Sequence, residues 1–393
     1  MIDFGAALEL IRANVTALPS EKIELANADG RVVAKDVIAK LPAPRSAVSA
    51  MDGYAVRNSD VPAIGTELRV IGEAFPGQPF DGGLGVRETV RIFTGGPIPD
   101  GADRVIMQEN IDRNGDIAVV AREFGPGWHV REKGGDFLEG ALLVPNGTRL
   151  SPRAMIAAAA ADEAELQVVK APQVAIVGTG DELQPPGKAR EFADAIPESV
   201  SFGVASMVKQ LGGNVVSRTR AADDLPSLQK LAGELLDQAD LVIVTGGASV
   251  GERDFAKTMF EPHGLDLLFA KVAIKPGKPV WLGQAGGKWV LGLPGNPTSA
   301  MVTARLFLTP LMQALQGETP RNEWQTLKLA ENMKATGDRE TFVRAKLTAQ
   351  GIQPVSNQDS GAQHALLEAD WLIRCKANSP AMHVGDIVEA LPF

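Results

Sequence analysis

The chain has 393 residues, enough for about two to four domains with sizeable cores. Lysine and arginine number 39 against 48 aspartates and glutamates, and the net charge of −9 argues against nucleic acid or an anionic membrane as the main partner while leaving room for a local basic pocket. The single cysteine, Cys375, excludes an intrachain disulfide and fits a reducing cytoplasm, and the scattered His129, His263, His364 and His383 show no zinc-type spacing.

The first residues carry no basic stretch ahead of an apolar run, so no secretory signal is expected, and no apolar run reaches membrane-spanning length. Residues Asp3–Val15 predict a short amphipathic helix with Phe4, Leu8, Ile11 and Val15 on one face. From Ala55 to about Leu150, short apolar stretches divided by turns predict an all-β region. Ser151 then reads as the N-cap of a helix, with Pro152 in its first turn. From Gln173 the pattern alternates: QVAIVG, a helix, NVVSR, a helix, DLVIVTGG, and later LDLLFAKVAI, PVWLG and KWVLGLPG before a long helix. Near-continuous apolar strands between helices predict a doubly wound parallel sheet covered on both faces. After Gln316 short strands return, as expected for a small C-terminal β domain.

In such a sheet ligands bind outside the carboxyl ends of the strands. Four polar loops leave strands there: VGTGDEL (177–183), VTGGASVGERD (244–254), KVAIKPGKPV (271–280) and GLPGNP (292–297). In the last, Pro294 holds Leu293 extended, Gly295 allows close backbone approach, and Pro297 starts a helix whose N–H groups could face an anion. Two nucleotide motifs fail: Leu183 stands where a dinucleotide fingerprint needs glycine, and Glu252-Arg253 replaces the Lys-Ser/Thr of a P-loop. Asp181, Glu182, Asp223, Asp224, Glu252 and Asp254 all follow strands. Each alone reads as solvated surface charge, but as a cluster at one sheet edge they favour Mg²⁺. Lys271, Lys275 and Lys278, stiffened by Pro276 and Pro279, suit phosphate or another oxyanion. No Ser-His-Asp or Cys-His nucleophile is visible, so no covalent enzyme intermediate is expected.

Six stretches in one order, SAMDGYAV (49–56), RIFTGGPIPDGADRVIMQE (91–109), GDEL (180–183), GGASVGERDFAK (246–257), AIKPGKP (273–279) and GLPGNPTSA (292–300), resemble the MoeA family of molybdopterin molybdenumtransferases, to which the gephyrin C-terminal domain also belongs. The resemblance runs over the whole chain. It implies a multidomain α/β-plus-β fold: a linking and dimerisation domain at 1–44 and 145–172, an inserted β domain at 45–144, a molybdopterin adenylyltransferase-like α/β domain at 173–318, and a small C-terminal β-barrel at 319–393. It also implies a cytoplasmic homodimer that takes adenylylated molybdopterin and molybdate, requires Mg²⁺ and releases AMP. Carried over by motif, Asp52 and Thr94 would face the site from the partner subunit, with Arg131 and Asp136 as further contacts. Glu182, Asp223 and Asp254 would meet metal and phosphate, and Lys271, Lys275 and Lys278 the anions. Pro294 and Pro297 would shape the floor, Asn296 would be a further substrate contact, and Arg344 and Ser360 would bind molybdate.

The sequence departs from the family pattern at Glu198-Ser199-Val200, where an Asp-Ser-Asn-like stretch is usual, and at His364, where a small hydroxyl residue is common. Two other readings stay open: adenylylation of molybdopterin, and a non-catalytic dimeric scaffold or cofactor carrier of the gephyrin type. Other partners consistent with the family are a molybdopterin adenylyltransferase and molybdoenzymes or their chaperones.

Overall fold

The computed structural model describes residues 1–246 and 255–393. It has the multidomain α/β-plus-β architecture expected. The first helix, Phe4–Asn14, starts at Asp3, whose carboxylate accepts the Ala6 N–H. Phe4, Leu8 and Ile11 are buried in the largest core, alongside the long helical stretch near residue 310. Ile2 ahead of this helix donates its N–H to the Lys271 carbonyl and accepts the Ala273 N–H at 2.7 Å, so the amino terminus braces the lysine loop.

Ser20–Glu24 pairs along its whole length with Glu165–Val169, which ties together the two ends of the intervening chain. Between them lies a six-stranded, mostly antiparallel sheet whose spatial order runs Arg104–Met107, Gly53–Val56, Glu88–Ile92, Glu67–Ala74, Ile117–Val120, Ile111–Asn114. It has apolar cores of its own on both faces. The helix Pro152–Ala160 starts at Ser151, whose hydroxyl accepts the Ala154 N–H.

The α/β layer begins with Gln173–Thr179 (β1), followed by helix Val200–Gln210 (α1), strand Asn214–Ala221 (β2), helix Leu225–Gln238 (α2) and strand Leu241–Thr245 (β3). Asp266–Phe269 (β4), Trp281–Ala285 (β5), Lys288–Leu293 (β6) and helix Pro297–Thr303 (α3) complete it. The strand order is β2-β1-β3-β6-β5-β4. Strands β2, β1, β3 and β6 are parallel. Helix α1 packs with the core that holds Val174 and Ile176, and α2 with the one that holds Ala175 and Val177, so the two helices cover opposite faces of β1.

The sheet is doubly wound but not wholly parallel. β5 and β6 form an antiparallel hairpin, and β4 adds to it antiparallel. Only Gly286 and Gly287 separate β5 from β6, too few residues for a crossover, and both adopt the positive φ (56° and 75°) of a tight hairpin turn.

The C-terminal strands close into a small barrel. Gln325–Lys328 pairs with Ile387–Pro392, that with Trp371–Cys375, that with Glu340–Thr348, and that with Gly351–Pro354. A parallel bridge from Leu329 to Ile352, with the Ala330 N–H on the Ile352 carbonyl at 2.8 Å, joins last to first. Cys375 is buried inside, and burial pushes its thiol up to about 11. No described helix is long and apolar enough to cross a membrane.

Candidate functional site: two adjoining cavities at the sheet edge

Helix α1 leads from β1 to one side and α2 returns past it to β3, so the winding reverses between β1 and β3. At their carboxyl ends, Thr179 and Thr245 open into a cavity of 510 Å³. Glu182 and Asp223 enter it from the loops after β1 and β2, Glu198 from the start of α1, and Pro294, Asn296 and Pro297 from the turn after β6. Its described lining residues include three carboxylates and no lysine, arginine or histidine.

A second cavity of 960 Å³ lies against the first, and Pro279 and Ser299 line both. Lys275 and Lys278 line this second space from the lysine loop, with Lys334, Arg339 and Ser360 from the C-terminal domain; Glu331, Asp338 and Asp359 offset part of that charge. Backbone pairing explains the meeting of the two domains. Ile274–Lys275 runs parallel to Glu340–Thr341 at the barrel edge. The Asn296 amide donates to the Ser360 hydroxyl at 3.0 Å, and the Thr298 N–H to the Ser360 carbonyl at 3.2 Å.

That second bond removes one N–H from the helix start expected after Pro297. Asn296 caps nothing with its side chain, and the Thr298 N–H is taken by the C-terminal domain instead of facing an anion. The glycines of this turn serve packing. A Cβ on Gly292 would lie 1.9 Å from Nε1 of the buried Trp281, and one on Gly295 would lie 3.3 Å from the Gly246 Cα. The close approach at Gly295 is thus to the neighbouring loop.

The other acids divide by role. Asp224 is the N-cap of α2; the Ser227 side chain and N–H hold its carboxyl below the usual range. Asp181 accepts the Asp223 N–H at 3.0 Å and so fixes the loop that carries Asp223. Glu252 and Asp254 lie outside the described residues. Glu182 and Asp223 supply hard oxygen donors in one cavity, the kind of donor a divalent cation takes. Among the described residues no group of three or more His, Cys, Asp or Glu is placed to hold a metal ion.

Lys271 lines neither cavity; its carbonyl is bonded to Ile2. Arg344 is only 1% exposed and also lines neither cavity. Its guanidinium donates to the Asn357 and Asp359 carbonyls, both at 3.0 Å, and to the Thr298 hydroxyl at 3.3 Å. It therefore positions the loop that presents Ser360, and burial lowers its pKa. His364 points to solvent beside Glu368.

Asp52 and Thr94 lie together in the inserted β domain and line neither cavity of this chain. The Asp52 carboxylate accepts the Thr94 N–H at 2.7 Å and its hydroxyl at 2.8 Å. Those bonds, the N–H first, hold the carboxyl below its usual range against an opposing effect of burial, and nearby Arg91 adds a lesser pull downward. Arg91 itself stacks between Tyr54 and Phe93. Arg131 pairs with Val48, the Asp136 N–H donates to Ala43, and no ion pair joins Arg131 to Asp136 among the described residues. Sequence reasoning passed over Thr179, Thr245 and Gln363, which line the first cavity, and gave Glu198 no role. The two threonines were legible as the last residues of strands flanking the reversal; Gln363 depends on how the barrel docks.

A cavity at the sheet reversal, outside the carboxyl ends of the strands, is where α/β proteins of this class hold their ligands. Residues 2–161 match the MoeA N-terminal region (domain I and II), 175–314 the probable molybdopterin binding domain, and 326–393 the MoeA C-terminal region (domain IV). The chain is 34% identical to a molybdopterin molybdenumtransferase of Haemophilus influenzae, covering 95% of this chain and 94% of that one. It is 33% identical to the Synechococcus elongatus protein of the same name, with 95% of each covered. The crystal structure of a molybdopterin biosynthesis MoeA protein from Pyrococcus horikoshii superposes with a TM-score of 0.82 at 28% identity, covering 100% of this chain and 99% of that one. The chain belongs to the MoeA family.

Proposed function

We propose that this protein is a molybdopterin molybdenumtransferase, which inserts molybdate into adenylylated molybdopterin and releases AMP. The observation that carries this reading is the pair of cavities sharing Pro279 and Ser299, one walled by carboxylates and the other bearing lysines. Bringing a phosphoanhydride up to molybdate crowds like charges, at a cost on the order of several kcal/mol per close pair at intermediate dielectric. Lys275 and Lys278 offset that charge from one side. Glu182 and Asp223 would hold Mg²⁺ on the other, and a bound Mg²⁺ supplies electrostatic stabilisation of the phosphate oxygens. Ser360, held by Asn296 and by the loop on Arg344, supplies a hydroxyl that orients a tetrahedral oxyanion. In a homodimer, Asp52 and Thr94 would complete the site from the partner subunit.

The test is to mix the protein with adenylylated molybdopterin, Mg²⁺ and molybdate and to follow AMP. Molybdate-dependent AMP release without ATP consumption is expected. ATP consumption with free molybdopterin would instead establish an adenylyltransferase, and no turnover with either substrate would favour the scaffold.

A further inference from the structure

The start of α1 opens onto the first cavity. Such a helix terminus, 11 residues long behind it, ordinarily offers free N–H groups and positive dipole to an anion. Here the chain closes it with its own charge. Glu198 is 8% exposed and lines the cavity, and its carboxylate accepts both the Ser201 N–H at 2.8 Å and the Ser201 hydroxyl. Ser199, the N-cap by position, makes no capping bond. Glu182 and Asp223 line the same cavity, and at the start of α3 the Thr298 N–H is taken by the Ser360 carbonyl. A phosphate approaching α1 therefore meets a buried carboxylate already seated on the Ser201 N–H.

We infer that Glu198 is a specificity-determining residue of this site: it closes the N-terminus of α1 to phosphate and leaves the ligand's phosphate to the lysine-bearing cavity and to a bound cation. Val200, the next residue but one, also lines the cavity, and its side chain adds no hydrogen-bonding group, so the side chains of Glu198 and Val200 offer a phosphate no donor. The inference rests on the reading of the two cavities as one site for a phosphorylated ligand.

The probe is inorganic phosphate in metal-free buffer, titrated into the full chain while the Ser201 amide signal is followed by NMR. In wild type that signal stays still. In Glu198→Ala it moves and saturates, with an apparent affinity about tenfold or more tighter. Glu198→Gln keeps an acceptor for the Ser201 N–H and removes the charge, so it gains part of that affinity and decides the matter should the alanine variant fail to fold. A wild-type Ser201 signal that follows phosphate, or a folded charge-free variant whose signal ignores it, overturns the inference. The assay uses neither molybdate nor AMP release, so loss of the transferase reading and loss of this one are told apart.

Discussion

Arg344 carries a fully buried charge, and its bonds to Asn357, Asp359 and Thr298 make it the brace of the Ser360 loop. Arg344→Ala leaves the Asn357 carbonyl without its partner, removes one of two donors on the Asp359 carbonyl and opens a buried gap, and is expected to cost roughly 2–5 kcal/mol, read as a lower midpoint in urea unfolding. At Asp52 the folded pKa lies below the unfolded one, so its bonds to Thr94 stabilise the protein fully above the ordinary carboxylate range and lose effect as pH falls through the folded value. The gap in melting temperature between wild type and Asp52→Ala should therefore be full at neutral pH and close in acid. Cys375, with its thiol at about 11, should resist thiol reagents in the native state at neutral pH and react once the chain is unfolded. The caps Asp3 and Ser151 were legible in the sequence because a capping residue and its helix are neighbours. The burial of Arg344 was not, since it depends on how the barrel meets the turn after β6.

Elements reveal the same boundary. Apolar β1 and β3, and helices α1 and α2, could be read from periodicity, because both faces of the sheet are covered and the strands run almost without polar residues. The hairpin of β5 and β6 was missed because apolar runs look alike whichever way they point; the two-residue Gly286-Gly287 link held the answer. Barrel closure hinges on Gly351, at φ 131°, where a Cβ would sit 2.2 Å from the Lys328 carbonyl oxygen. Gly351→Ala should destabilise the C-terminal domain by roughly 1–3 kcal/mol, seen as faster amide exchange in Gly351–Pro354 and Gln325–Lys328.

Over the whole molecule, the site is assembled by docking. Ile2 braces the lysine loop, the barrel edge pairs with Ile274–Lys275, and Ser360 closes the turn after β6. Glu182 of GDEL, Lys275 and Lys278, the turn after β6 and Ser360 thereby line two adjoining hollows, which the separate loops alone could not define. The central claim is that the acid-walled and lysine-bearing cavities act on one ligand. It is tested most directly by kcat/KM for AMP release from adenylylated molybdopterin in wild type, Glu182→Ala, Lys275→Ala and the double variant. Each single change is expected to lower kcat/KM by about 100-fold, and the double by less than the product of the two, because both groups act on one bound molecule. Wild-type rates in either single variant, or strictly multiplicative losses in the double, would contradict it.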